Sequence, residues 1–304
     1  MRKLLATLLS LALLGASVPL LAQDTDLSEG EQAYITIVAD AQAAISELDT
    51  YAANIQIIQA QTITQTGGFS LTVETRLVQD TNSIVRNNPD GTSDSYAYLE
   101  QTFTTTTGGQ TDESALTMEM IIIDGGFYMR FNDIPAAAAP LFPTGWVDVA
   151  RENVPGLEAI DTRALADMSG SNLISQYPVR PETVAQIDAL EPITVNGQTF
   201  ERYIISFRPE AVAEVIYNSY INFEAMTAEE SALIDQMLPN TTVTQESWVG
   251  AEDGLLYRLV AQVTIAEFES EIDSNAFQLA QESEITVALD DFNEPVDIDP
   301  PPLD

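Results

Sequence analysis

Cysteine and histidine are absent from this chain, and lysine occurs once, at Lys3. Beyond residue 3 the only basic side chains are nine arginines, set against 47 carboxylates. Each absence excludes chemistry. Without imidazole there is no ordinary general base near neutral pH, and without Cys or an internal Lys there is no thiolate nucleophile or Schiff-base amine. Ser-His-Asp hydrolysis is ruled out with them. Zinc, haem and iron–sulfur sites need imidazole or thiolate ligands, so hard cations on oxygen ligands are the only protein-bound metals the composition allows. No cofactor is expected. Long apolar runs are also missing: the longest, Leu4 to Leu14, is shorter than the roughly 20 residues a spanning helix needs.

That run, preceded by Arg2 and Lys3 and followed by Gly15, Ser17, Pro19 and Ala22, has the form of a secretory signal over residues 1–22. The expected product is an exported, soluble bacterial protein, in the envelope or outside the cell. Leu21-Ala22-Gln23-Asp24 offers no Cys for lipid attachment, so no lipid anchor is expected. Removing the signal leaves nine arginines and 47 carboxylates, a formal charge of −38. Such a charge repels nucleic-acid phosphate and anionic lipid surfaces, which excludes nucleic acid as a partner and leaves room only for transient membrane contact. Its simplest role is solubility. A chain of this length buries enough apolar surface to fold without disulfides.

What is present is mostly strand pattern. Ser28-Glu29-Gly30-Glu31 reads as a capping box, and Tyr34, Val38, Ala41, Ile45 and Leu48 recur at helical spacing, which predicts a helix over 28–48. From Tyr51 the period becomes two. A meander is predicted over 51–131, with turns at Gly67-Gly68, Asn88 to Gly91, Gly108-Gly109 and Asp124-Gly125-Gly126. Pro- and Ala-rich residues then open a helical insertion over 135–176. Strands and two helices follow over 183–238, with a hairpin turn at Asn196-Gly197, and a closing meander runs over 241–298. Residues 300–304 are expected to be disordered. With no repeat and no long linker, residues 23–299 are read as a single α+β domain built on one large curved antiparallel sheet.

Residues that could carry chemistry are few. The acidic clusters Glu282-Ser283-Glu284 and Asp290-Asp291 could pair as acid and base for a carboxylate-dependent hydrolase, although with 47 acids chance pairs are abundant. Asn88 to Asp94 places oxygens at alternate positions like part of a calcium loop, but Arg86 stands where the first acidic ligand belongs, and a hairpin turn explains the segment fully. No metal site is expected. Met118, Met120 and Ile122, with Phe127 and Met129 after the turn, form a soft apolar stripe that could line a pocket for flexible hydrocarbon chains or be ordinary core. Strand alternation adds Leu71, Val73, Ile204, Leu259 and Val263 to the candidate pocket lining.

Four blocks taken together carry a resemblance: Gly126-Phe127-Tyr128-Met129-Arg130 followed by Gly145-Trp146-Val147; Val195-Asn196-Gly197 through Ile205; Trp248-Val249-Gly250 through Arg258; and Asp291-Phe292-Asn293-Glu294. In this order they resemble the LolA-like lipoprotein-carrier superfamily, in particular its LppX/LprG-like branch. The resemblance implies an unclosed half-barrel, one strongly curved antiparallel sheet whose concave face is covered by helices over an apolar cavity. It further implies a non-enzymatic protein that binds a lipid or other amphipathic molecule and can act as a carrier. A structural or sensory module on the same fold, without cargo, stands as the alternative.

Overall fold

The computed structural model describes residues 27–65, 71–134, 145–149, 179–213, 228–272 and 275–302. The expected signal segment, the Gly67-Gly68 turn, most of the expected helical insertion over 135–176 and residues 214–227 of the expected strand-and-helix stretch lie outside the described residues.

Helix α1, Glu29–Ala44, starts at the expected box: the Ser28 hydroxyl accepts from the Glu31 backbone N–H at 3.3 Å, and the Glu31 carboxylate accepts from the Ser28 N–H at 2.8 Å. These reciprocal bonds satisfy two of the donors that every helix start leaves open. A 3-10 turn, Ile45–Glu47, ends the helix and passes the chain into the sheet.

The strands are β1 Thr50–Gln65, β2 Leu71–Asn87, β3 Ser93–Thr107, β4 Gln110–Ile123, β5 Gly126–Asp133, β6 Val147–Asp148, β7 Val184–Val195, β8 Gln198–Phe207, β9 Thr241–Gly250, β10 Leu256–Ile272 and β11 Asn275–Asp290. Helix α2, Ala228–Met237, precedes β9. All strands belong to one antiparallel sheet of order β6-β5-β4-β3-β2-β1-β11-β10-β9-β8-β7. Two meanders therefore meet where the first strand pairs with the last, Ala52 opposite Asp290 through Gln65 opposite Phe277. The sheet is unclosed, with β6 and β7 at its edges.

Turn chemistry sets the hairpins. Asn196 and Gly197 both take positive φ, 53° and 85°, as a tight two-residue turn requires. At Gly250 a side chain would run into the Asp253 carboxylate and the Tyr257 ring. β10 extends past Ile265, where the alternation in the sequence stops, because a bulge between Ile265 and Phe268 shifts the phase and pairing then resumes with β11.

One face, called inner here, holds the main core. Tyr51, Ile55 and Ile57 of β1, Ile205 of β8, Leu259 and Ala261 of β10 and Ile285 and Val287 of β11 are buried in one cluster with Ile35, Val38 and Ala41 of α1. α1 packs on β7, β9 and β10, with the Tyr34 and Tyr203 rings 5.5 Å apart. α2 rests on β10 through buried Leu233, Ile234 and Met237.

The outer face has its own fittings. The C-terminal strap leaves β11 through Asp291 and Asn293, both at positive φ, and is fastened by Asn293 N–H to the Thr50 carbonyl (2.8 Å) and Asp49 N–H to the Asn293 side chain (2.8 Å). It ends with Ile298 buried against Ile121 and Ile123 of β4, beside Tyr96, Tyr128 and Trp146. Of the five terminal residues expected to be disordered, Pro301 is buried and 303–304 lie outside the described residues.

Candidate functional site

The inner face is read most easily in rows across the strands. Met120 (β4), Ala97 (β3), Ser83 (β2), Ala53 (β1) and Leu289 (β11) stand side by side, with Met129 of β5 beyond Met120. The next row runs Met118, Leu99, Thr81, Ile55, Val287, Leu259, Ser247, Tyr203. Both rows lie on one face because side chains alternate with period two and antiparallel partners share a side.

The register puts nine of the ten candidate lining residues on this face, in three separate places. Met118, Met120, Ile122, Phe127 and Met129 form one cluster with Leu99, Phe131 and Val147. Leu259 is buried in the main inner cluster and Val263 packs against it. Leu71 and Val73 lie on the same face at the far end of β2, half-buried, opposite Gln65 and Ile63. Ile204 is the correction. It stands on the outer face opposite Glu246, 37% exposed, and Ile205 occupies the inner position instead. Tyr203-Ile204-Ile205 is apolar throughout, so period two assigns it no face, and the cross-strand register decides.

Sequence reasoning missed a polar band on this same face. On β2, Thr75, Gln79, Thr81 and Ser83 are buried between the main inner cluster and the Met-rich one. On the neighbouring strands Gln59, Gln61, Gln281, Ser283, Gln245 and Ser247 are buried as well. Gln59 stands opposite Ser283 and Gln61 opposite Gln281, with the Gln61 amide donating to Gln281 at 3.2 Å. The Gln245 amide donates to Ser247 at 2.9 Å, and Gln79 to Thr81 at 3.3 Å. The carbonyl ends of Gln59, Gln61 and Gln245 and the Ser283 hydroxyl have no hydrogen-bond partner. The signal was in the sequence: Gln59 and Gln61 continue the odd-numbered series Tyr51, Ala53, Ile55, Ile57.

Across β3, β2, β1, β11, β10 and β9 no charged residue occupies a paired inner position among the described residues. The charges are turned outward. The acidic pair Glu282 and Glu284 is on the outer face, where Gln262 donates to Glu284 at 3.1 Å. Asp290 has its carboxyl pushed upward by burial and by the charge of Asp291, but it ends β11 beside an exposed turn. The Asn88 to Asp94 segment is a hairpin connection. Asp90 takes the Thr92 N–H and hydroxyl, and Arg86 holds Asp94 at 2.8 Å, so the last oxygen of the calcium-like pattern already has a cation.

Burial alone would raise Asp94, but hydrogen bonds from Arg86, Asn88 and the Asp124 N–H, with the charge of Arg86, outweigh it and hold the carboxyl below its usual value. Glu119 behaves alike: burial opposes, and Asn132, Arg130 and Tyr96 together lower it. In return Tyr96 is pushed up to about 12, by burial first and by Glu119 second. Three of the blocks that carry the family resemblance build such outer-face structure. Arg202 bridges to Glu246 at 2.7 Å, Arg258 lies 4.9 Å over the Trp248 ring, and Phe200, Tyr257 and Phe292 stack edge to face beside them.

No protein-family model matches the chain, and no curated protein matches it. Among solved structures it is similar to LprF from Mycobacterium bovis, at 10% identity over 88% of this chain and 97% of that one, with a TM-score of 0.38. It is similar to the Mycobacterium tuberculosis lipoprotein LppX at 12% identity over 90% of this chain and 100% of that one, with a TM-score of 0.37. A DUF1329 family protein from Desulfovibrio piger matches at 11% identity, over 86% of this chain and 95% of that one, and a TM-score of 0.24. At these scores the likenesses carry no functional conclusion.

Proposed function

We propose that the protein binds a lipid or other amphipathic molecule against the inner face of its sheet, without catalysis, and carries it in soluble form. One observation supports this above the rest. In a chain with 47 carboxylates, six adjacent strands, β3 to β9 across the sheet, carry no charged residue at a paired inner position among the described residues, and the neighbouring β4 and β5 add a flank of methionine and phenylalanine. Methionine and phenylalanine adapt to irregular hydrocarbon, and apolar binding needs no acid, base or nucleophile. The sheet has eleven strands and is open, and α1 and α2 pack on its inner face. Open sheets of this size twist and curl, and on this reading the inner face is the concave one and the ligand lies between it and the helices. Residues 1–22 direct export. No helix among the described residues is long and apolar enough to cross a membrane.

Native mass spectrometry of the gently purified protein tests the reading. A co-purifying amphiphile, or stoichiometric uptake of a fluorescent acyl probe, is expected. A clean apo mass with no probe uptake would favour an interaction module without cargo.

A further inference from the structure

The amide band on the inner face is unlike ordinary core. Gln59, Gln61 and Gln245 are at most 2% exposed, and Ser283 is 5% exposed, yet each keeps a polar atom without a hydrogen-bond partner. Such atoms are costly when they stay dry, which is why buried polar groups are nearly always paired. Four of them on one face of three strands, β1, β11 and β9, call for a partner that is not part of the chain. Between β11 and β9 the band crosses β10 at two inner residues, the small and fully buried Ala261 beside Gln245 and Ile285, and Val263 beside Ser283 and Val243. Adjacent strands lie about 4.8 Å apart, so the band spans about 14 Å from β1 to β9.

The chemistry of the partner follows from what surrounds the band. No charged residue occupies a paired inner position on these strands or on β2, β3 and β10. An anionic or cationic head seated here would be buried without a counter-charge, which is strongly unfavourable. A side-chain amide offers an acceptor at one end and a donor at the other, and a serine hydroxyl does both. A neutral group that also donates and accepts fits all four, and a hydroxyl is the simplest such group. Apolar side chains adjoin the band: Ile57 and Ile285 in the row of Gln245, Val287 beyond them, and Ile63, Leu279 and Phe268 on the other side.

We infer that the amide band of Gln59, Gln61, Gln245 and Ser283 is a selectivity element for a neutral amphiphile carrying hydroxyl groups, seated with its hydroxyls on the band and its hydrocarbon along the apolar residues beside it. This rests on the carrier reading above and deepens it. The band sets which amphiphile is retained, while the apolar face supplies binding common to all.

The test uses the full chain and two neutral probes of equal chain length, dodecane-1,2-diol and 1,2-dimethoxydodecane, competed against a fluorescent acyl reporter. The ether keeps the shape of the diol and loses its donors. Wild-type protein is expected to prefer the diol by about tenfold or more, from one to two hydrogen bonds. In Gln59→Met/Gln245→Met the preference is expected to fall to within about threefold of unity through loss of diol affinity, with the thermal midpoint unchanged or raised. Equal binding of both probes by the wild type would overturn the inference and leave the carrier reading standing. Displacement of the reporter by neither probe would overturn both. A double variant that keeps the diol preference, or one that unfolds far below the wild type, would show the amides to be structural and would also overturn it.

Discussion

Residue position on this sheet is decided by one step of phase, and Ile204 and Ile205 make the sharpest pair. Ile205→Ala removes a fully buried side chain and is expected to cost about 2–5 kcal/mol in urea unfolding, whereas Ile204→Ala on the outer face is expected to stay within about 0.5 kcal/mol. The two acids with lowered carboxyls set a pH dependence. Asp94 and Glu119 both titrate below their unfolded values, so the stability they add is present above the unfolded pKa near 4 and is lost as the pH falls through the lower folded value. Asp94→Asn is expected to flatten the acid limb of stability against pH, measured by urea midpoints between pH 3 and 6. Tyr96 works in the other direction, since its raised folded value means a loss of stability as the pH climbs from 10 towards 12. At this scale the sequence disclosed the soft Met and Phe stripe, where Glu119 and Arg130 set the phase, and hid the amide band. Glutamine at an inner position looks like glutamine at a surface position until the cross-strand partners are known.

Elements were legible where local chemistry is strong. The capping box placed the start of α1 within a residue, and the Asn-Gly and Gly-Gly turns placed the hairpins, because each of these depends on a few adjacent residues. The far end of β10 was not legible, since a bulge breaks the period that reveals a strand. Nor could alternation alone say which strands are neighbours across 240 residues, because pairing of β1 with β11 is a property of the whole sheet. Ser28→Ala removes the cap that α1 needs and is expected to cost about 1 kcal/mol, seen as a fall of about 2–4 °C in thermal midpoint. Because α1 lies across β7, β9 and β10, the same change is expected to loosen the cover of the inner face and speed probe release in a stopped-flow dissociation experiment.

The whole molecule carries a formal charge of −36, and on β3, β2, β1, β11, β10 and β9 the charged residues at paired positions are on the outer face. Self-repulsion of this size is screened within about 10 Å at 0.1 M salt. The urea midpoint is therefore expected to rise between 10 mM and 500 mM sodium chloride, the reverse of what a fold held by surface ion pairs would do. Anionic vesicles without divalent cations are expected to leave the protein in the supernatant on sedimentation.

The pairing of β1 with β11 also has a consequence in time. The strand at the centre of the sheet waits for its neighbour until residue 290 has been made, so the strands of both meanders are synthesised before the middle seam can close. Long-range pairing of this kind is slow, because the loop between the partners must be ordered first. A polypeptide with its seam still open remains threadable, which is the state that the export proposed above for residues 1–22 would require.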